Sequence, residues 1–74
     1  MAIEERYPAI IQAALETFAR RGYHQASIRE IARAADLSLA GLYHYVGSKE
    51  ELLFLVIDRA LDYLLASLDN ALAL

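Results

Sequence analysis

The 74-residue sequence contains no cysteine and no tryptophan, one proline and three glycines. Without cysteine the chain can form neither a disulfide framework nor a thiolate metal site, and we expect a reducing, cytoplasmic location. Scarce proline and glycine, with 58% hydrophobic residues that are mostly Ala and Leu, favour an ordered helical chain. No stretch alternates polar and apolar residues as a half-buried strand does. The sequence therefore predicts an all-α protein.

Secretion and membrane insertion are not indicated. The N-terminus is acidic and lacks the apolar segment of a signal peptide. Residues 52–74 are rich in leucine, but Asp58, Arg59, Asp62 and Asp69 interrupt them well short of a membrane-spanning helix. We expect no membrane partner.

Charge is divided unevenly along the chain. Residues 1–49 carry six Arg and Lys against five Asp and Glu, a net charge of +1, whereas residues 50–74 carry one Arg against five acids, a net charge of −4. A strongly basic face is the usual sign of a nucleic-acid binder. A net charge of +1 therefore argues against tight DNA binding by a single copy.

The most informative stretch runs from Ser27 to Tyr45. Ser27 followed by Glu30 is a capping box that starts a helix at Ile28. This helix should end near Ala35. Ser38 is the next residue able to cap a helix, so only Asp36 and Leu37 lie between the last turn of the first helix and the cap of the second. So short a link forces a steep crossing, and the pair is a helix-turn-helix. We expect the second helix to bury Leu37, Leu42, Tyr45 and Val46 and to turn outward Leu39, Ala40, Gly41, Tyr43 and His44.

A first helix precedes this unit. Its apolar residues have helical spacing and form one stripe, made of Tyr7, Ile10, Ile11, Ala14, Leu15 and Phe18. Pro8 fits only the first turn, so the helix should begin near Arg6 or Tyr7. Gly22 should close it in the left-handed conformation, with Tyr23 folding back as the hydrophobic partner of the cap.

A fourth helix should follow. Ser48 and Glu51 form a second capping box, and no Gly or Pro interrupts the chain from Lys49 to Leu74. We expect its first turns to meet the first helix through Leu52, Leu53, Val56 and Ile57. Five leucines lie farther along and need another partner, which suggests a fragment of a longer protein: Leu61, Leu64, Leu65, Leu68 and Leu72.

Five segments in this order resemble the TetR family of transcriptional regulators, and together they span residues 10–52: Ile10–Ala19, Gly22-Tyr23, Ile31–Ala35, Leu42–Tyr45 and Ser48–Leu52. The resemblance implies a homeodomain-like, three-helix DNA-binding domain over residues 1–47. Residues 48–74 would then be a linking helix toward a C-terminal ligand-binding and dimerisation domain that is absent from this chain. It also implies a cytoplasmic repressor that binds double-stranded operator DNA as a homodimer and releases it when a small-molecule effector binds that domain.

The resemblance assigns DNA contacts to residues that also have simpler explanations. Ser27 and Ser38 cap helices in any protein, but a helix N-terminus also suits a phosphate. Arg29 is by default a solvated surface residue, and the resemblance makes it a base or phosphate contact. Lys49 opposes the dipole of the fourth helix and so favours a nearby anion, and the resemblance implies that this anion is a phosphate of the DNA backbone.

The second helix of the helix-turn-helix supplies the remaining contacts. Gly41 is unfavourable inside a helix by about 1 kcal/mol relative to Ala. It either serves close helix packing or, with Leu39 and Ala40, lets the backbone approach base edges in the major groove. Tyr43 is either a core aromatic or, as its neighbours favour, a phosphate contact through its hydroxyl, and His44 is a DNA contact.

Two positions depart from the family pattern. Asp36 stands where the family mostly has Gly, and Ala26 precedes the first cap where a hydroxyl residue is common. Neither breaks the fold, because Asp tolerates the left-handed conformation better than most residues. The Asp36 carboxylate near the recognition unit should weaken DNA affinity.

No catalytic arrangement is present, and we expect neither enzymatic activity nor a cofactor. His24 and His44 have no second imidazole or carboxylate at ligand spacing, so a metal site is not expected. The competing hypothesis is a non-enzymatic interaction module in which the three helices are structural and the fourth is the working surface. The near-neutral charge favours that alternative, and the outward Leu39-Ala40-Gly41 triplet favours the repressor.

Overall fold

The computed structural model describes the backbone of residues 3–72 and the side chains of residues 6–72, and within these residues it contains four helices and no strand. The helices are α1 (Ile3–Arg21), α2 (Ile28–Ala34), α3 (Leu39–Tyr45) and α4 (Lys49–Leu72). The predicted all-α fold, three helices with a helix-turn-helix followed by a long fourth helix, is confirmed. The expected continuation to Leu74 lies partly outside the described residues.

α1 is the central element of the core, because it packs against both α2 and α4 while α2 packs against α3. Each helix contributes one large side chain with 0% exposure: Ile10, Ile31, Leu42 and Leu52. Thr17 is also buried, and its hydroxyl donates a hydrogen bond of 2.8 Å to the carbonyl oxygen of Ala13. Its polar group is therefore satisfied inside the apolar core.

Both predicted caps of the helix-turn-helix are present. The Ser27 hydroxyl accepts from the Glu30 N–H at 3.0 Å, and the Glu30 carboxylate accepts from the Ser27 N–H at 3.3 Å. The Ser38 hydroxyl accepts from the Gly41 N–H at 2.9 Å. Each cap satisfies a backbone donor that has no partner within its own helix, which fixes where the two helices begin.

The turn between α2 and α3 has the Schellman geometry. Asp36 has φ +60°, and its N–H donates to the Arg33 carbonyl at 3.1 Å while the Leu37 N–H donates to the Ala32 carbonyl at 2.8 Å. These two bonds satisfy carbonyls at the end of α2. Asp36 thus occupies the left-handed position that Gly usually fills, a conformation that Asp tolerates better than most residues.

The end of α1 also forms as predicted. Gly22 has φ +81°, and its N–H donates to the Phe18 carbonyl at 2.8 Å. The rings of Phe18 and Tyr23 lie 5.3 Å apart, so Tyr23 folds back onto the last turns of the helix. This contact is the hydrophobic part of the cap.

The predicted start of α1 is wrong. α1 begins at Ile3, which places Pro8 inside the helix rather than in its first turn. The missing N–H of Pro8 removes one hydrogen bond near the N-terminal end, and the helix tolerates that loss because the turns that follow are packed in the core. The predicted stripe is also partly wrong, since Leu15 is 43% exposed while Ala13 is buried.

The beginning of α4 differs from prediction in two details. Ser48 caps it, accepting from the Glu51 N–H at 3.1 Å, but the Glu51 carboxylate accepts from the Gly47 N–H at 2.6 Å instead of completing a capping box with Ser48. Leu52 and Val56 are buried and Leu53 packs against the core, whereas Ile57 is 49% exposed.

The exposure of Leu15 follows from the way α1 and α4 separate. Beyond Val56, α1 and α4 border an open groove lined in part by Ile11, Leu15 and Tyr63. Only a narrow stripe of each helix is therefore covered. The remaining predicted leucines of α4 are 52–77% exposed, which confirms that the first three helices do not reach them: Leu61, Leu64, Leu65, Leu68 and Leu72.

Candidate nucleic-acid interface

The candidate interface is built around the solvent-facing side of α3. Ala40, Tyr43 and His44 are exposed, and their spacing of i, i+3 and i+4 places them on one face of the helix. The opposite side is anchored in the core by Leu42 and Val46, which are fully or almost fully buried. α3 therefore presents to solvent a short stripe made of one small residue, Ala40, and two aromatic residues, Tyr43 and His44.

Two residues predicted to face outward are only half exposed. Leu39 and Gly41 lie at the edges of the exposed stripe rather than within it. A Cβ atom at Gly41 would lie 3.1 Å from the Ser38 hydroxyl oxygen and 3.7 Å from a methyl group of Leu37. Glycine at this position therefore has a structural reason, since a side chain would crowd the hydroxyl that caps α3.

The C-terminal end of α3 is tied directly to α1. The Tyr7 hydroxyl donates a hydrogen bond of 2.8 Å to the Tyr45 carbonyl oxygen, and the two rings meet edge to face with centroids 5.7 Å apart. The bond satisfies one of the carbonyls that a helix leaves without an internal partner at its end. Tyr7 therefore fixes the orientation of α3 on α1, a role that its position in an apolar stripe did not reveal.

The start of α2 carries the exposed side chains of Ser27 and Arg29. Next to them, the Arg21 guanidinium forms an ion pair of 2.8 Å with the Glu30 carboxylate. Partial burial of Glu30 would raise its pKa, but the hydrogen bond from the Ser27 N–H and the charge of Arg21 outweigh that effect, so the pKa lies below its ordinary value. Arg21 is thus already paired, and Arg29 is the cation that this end of α2 presents to solvent.

Lys49 begins α4, and its side chain turns away from that helix. The side chain is half buried and reaches back to the turn between α1 and α2. Its ammonium nitrogen lies 3.4 Å from the His24 carbonyl oxygen and 4.5 Å from the centroid of the Tyr23 ring. The sequence identified Tyr23 only as part of a helix cap, because no local pattern links it to a residue so distant along the chain.

All nine predicted site residues lie on three neighbouring parts of the chain, and none of them is fully buried. They are Ser27 and Arg29 at the start of α2, Ser38, Leu39, Ala40, Gly41, Tyr43 and His44 along α3, and Lys49 at the start of α4. Hydroxyl, imidazole, guanidinium and ammonium groups of this kind donate hydrogen bonds to phosphate oxygens and base edges.

Other kinds of site have no support in the described part of the chain. Residues 6–72 contain no group of three or more His, Asp or Glu side chains arranged to hold a metal ion. No helix within residues 3–72 combines the length and apolar character needed to cross a membrane.

Comparison with known proteins identifies the family. Residues 10–56, more than half of the chain, match the family of bacterial regulatory proteins called the tetR family. Among similar proteins is the HTH-type transcriptional regulator HbdR of Aromatoleum sp. (strain CIB), which is 42% identical over 81% of this chain and 26% of its own length. The HTH-type transcriptional regulator RutR of Escherichia coli (strain K12) is 39% identical over 90% of this chain and 32% of its own length.

A third similar protein carries a different functional name. The HTH-type transcriptional activator FasR of Mycolicibacterium smegmatis (strain ATCC 700084 / mc(2)155) is 41% identical over 93% of this chain and 32% of its own length. The chain thus spans about a quarter to a third of the length of these relatives. No solved structure matches the chain. The match over residues 10–56 and the identity to these regulators show that the chain belongs to the TetR family of bacterial regulatory proteins.

Proposed function

We propose that this chain is the DNA-binding part of a bacterial transcriptional regulator and that α3 enters the major groove of double-stranded operator DNA. The observation that carries the proposal is the exposed stripe of Ala40, Tyr43 and His44 on a helix whose other side is locked in the core. The major groove, about 12 Å wide, admits one α-helix, and a helix-turn-helix uses its second helix in this way. The family supports the same function.

In this proposal the site residues divide into two groups. Leu39, Ala40 and Gly41 approach base edges at the start of α3, where the absence of long side chains permits close contact. The remaining residues contact phosphates or flank them and set the register of α3 on the duplex: Ser27, Arg29, Ser38, Tyr43, His44 and Lys49. Residues 1–47 act as the DNA-binding domain, and residues 48–74 link it to the rest of the regulator.

The regulatory part of the proposal comes from the resemblance to the family. We infer a cytoplasmic, non-enzymatic regulator that binds its operator as a homodimer and responds to a small-molecule effector bound by a C-terminal domain. Dimerisation doubles the phosphate contacts, which compensates for the net charge of only +1 on residues 1–49. We infer repression, and because FasR is named as an activator, a reporter gene placed behind the selected operator is the test that decides the sign of regulation.

Two exposed alanines provide a matched test. Ala40 lies on α3 and Ala66 on the distal part of α4, and both are exposed. Sequences that bind the chain are selected from a random pool of duplex DNA at low salt, where phosphate contacts are strongest. The parent chain and Ala66→Glu should enrich the same motif, whereas Ala40→Glu should enrich none, because its carboxylate faces the DNA. Equal loss in both variants, or in neither, would contradict the placement of α3.

The same test separates the proposal from the alternative function, a protein-interaction module that works through α4. The exposed leucines of α4 are compatible with that alternative, but the relatives named above are all transcriptional regulators or an activator. A parent chain that enriches no DNA sequence would favour the interaction module.

A further inference from the structure

The side chain of Lys49 contacts the turn between α1 and α2, although the two are far apart in the sequence. Lys49 begins α4, yet its ammonium nitrogen lies 4.5 Å from the centroid of the Tyr23 ring and 3.4 Å from the His24 carbonyl oxygen. The distance to the ring is within the range of a cation–π interaction. The Tyr23 ring is itself held by Phe18, with centroids 5.3 Å apart, so it is a fixed platform for the lysine.

The electrostatics of this position leave the lysine charge unneutralised. Lys49 occupies the first turn of α4, where the helix dipole disfavours a cation. The Glu51 carboxylate accepts a hydrogen bond from the Gly47 N–H at 2.6 Å and forms no ion pair with Lys49. Among the side chains that the structure describes, the one ion pair joins Arg21 to Glu30 and does not involve Lys49. A ring and a carbonyl therefore stabilise Lys49 without cancelling its charge.

We propose that Tyr23 is a positioning residue for DNA binding, because its ring and the neighbouring His24 carbonyl hold the Lys49 ammonium where it contacts a DNA phosphate. This inference rests on the proposed DNA-binding function. An ammonium group has three N–H donors. With one directed at the His24 carbonyl and the ring occupying one side, a donor remains for a phosphate oxygen.

Positioning matters because a free lysine side chain is flexible. It loses much of its rotamer freedom when it is fixed on a phosphate, and that loss weakens binding. Here part of the ordering is already present in the free protein, so less is lost when DNA binds. The Tyr23 ring is suited to this purpose, since a carboxylate in its place would compete with the phosphate for the same charge.

The test is a double-mutant cycle with a mixed-sequence DNA duplex at low salt. Tyr23→Leu removes the ring and keeps an apolar side chain, Tyr23→Phe keeps the ring, and Lys49→Met removes the charge. Tyr63→Leu, at an exposed tyrosine on α4, is the control. We expect Tyr23→Leu to weaken binding about two- to fivefold, Tyr23→Phe and Tyr63→Leu to leave it nearly unchanged, and Lys49→Met to reduce the salt slope by about one.

The decisive comparison is made in the Lys49→Met background. There, Tyr23→Leu should have no further effect on DNA affinity, because the group that it positions is gone. A loss of equal size in both backgrounds would mean that Tyr23 acts only through the fold, and the inference would be overturned. A parent chain that binds DNA with a salt slope unaffected by Lys49→Met would overturn the inference while leaving the proposed function intact. A parent chain that binds no duplex would overturn both.

A second measurement needs no substitution and so does not depend on the variants folding. The ε-methylene protons of Lys49 should resonate upfield of a free lysine, because the ammonium nitrogen next to them lies over the Tyr23 ring at 4.5 Å from its centroid. On addition of the duplex this upfield shift should persist, since the phosphate binds an ammonium that stays in place. Its disappearance on DNA binding would show that Lys49 leaves the ring to reach the phosphate, which contradicts a positioning role.

Discussion

The two halves of α4 contain similar residues in opposite surroundings. Leu52 and Val56, near its start, are buried against the rest of the core. Leu61, Leu65 and Leu68 follow in the same helix, and all three are more than half exposed. The helical pattern of the sequence is continuous across this boundary, so the difference arises from what lies opposite the helix and not from the helix itself.

This comparison shows what amphipathic spacing establishes. A repeated apolar stripe predicts that a helix has one face to bury, but the stripe carries no information on whether a neighbour is present. α1 covers the beginning of α4 and then leaves an open groove that begins beside Val56 and extends to Tyr63. Past that point the apolar face of α4 has no cover among the described residues.

A leucine-to-alanine substitution in each half of α4 should show the largest difference in the free energy of unfolding. Leu52→Ala should lower the free energy of unfolding by about 2 to 5 kcal/mol, because it leaves a cavity in the core. Leu65→Ala should change it by less than about 0.5 kcal/mol, as is usual for exposed positions. Urea unfolding of the dilute chain in a stabilising osmolyte measures both, since a domain this small has little stability to lose. Similar losses would mean that the distal half of α4 is packed in solution.

Loss of the hydrogen bond between Tyr7 of α1 and Tyr45 of α3 should reduce the free energy of unfolding by a smaller amount. Tyr7→Phe removes the hydroxyl that donates to the Tyr45 carbonyl and should cost about 1 to 2 kcal/mol, because that carbonyl loses its partner in a half-buried site. Tyr63→Phe removes the same atom from an exposed ring on α4 and should be neutral. Thermal melts of the two variants compare them directly. Equal melting temperatures would show that α3 does not depend on this hydrogen bond.

The turn between α2 and α3 should be more stable with glycine at position 36 than with Asp36. Asp36 has φ +60°, a conformation that strains any side chain, and Asp36→Gly should raise the free energy of unfolding by about 1 kcal/mol. Thermal melts should show a higher melting temperature for the variant. A lower melting temperature would mean that the Asp36 side chain stabilises the turn by more than the backbone strain at this position destabilises it.

The start of α2 should give the stability of the fold a dependence on pH through Glu30. The folded-state pKa of Glu30 is below its ordinary value of 4.5, so its stabilising contribution is complete above that pH and is lost as the pH falls toward the folded-state value. Glu30→Gln should therefore remove part of the acid-induced loss of stability. Asp58→Asn, at an exposed carboxylate on α4, is the control. An unchanged acid profile for Glu30→Gln would contradict this contribution.

Features set by a few adjacent residues were predictable from the sequence. The caps at Ser27 and Ser38, the left-handed Gly22 and the turn at Asp36 all form as predicted, because each depends on backbone groups within about one helical turn. The exposure of the leucines in distal α4 was also predicted, because the helix is too long for the small three-helix core to cover.

Features set by distant surfaces were not predictable. The exposure of Leu15 depends on where α1 and α4 separate, and the start of α1 at Ile3 depends on how much packing compensates for Pro8. In the candidate site, the exposed stripe of α3 follows from helical spacing. The contacts that position it, from Tyr7 to the Tyr45 carbonyl and from Lys49 to Tyr23, join residues far apart in the sequence and have no local pattern.

An NMR titration of the chain with its selected DNA duplex distinguishes recognition by α3 from binding through distal α4. We expect the backbone amide signals of Ala40, Tyr43 and His44 to shift on binding, because the exposed stripe of α3 lies in the major groove. The signals of Leu61–Leu72, at the uncovered end of α4, should remain in place. Shifts confined to distal α4, with the α3 signals unchanged, would contradict DNA recognition by α3 and would identify α4 as the working surface.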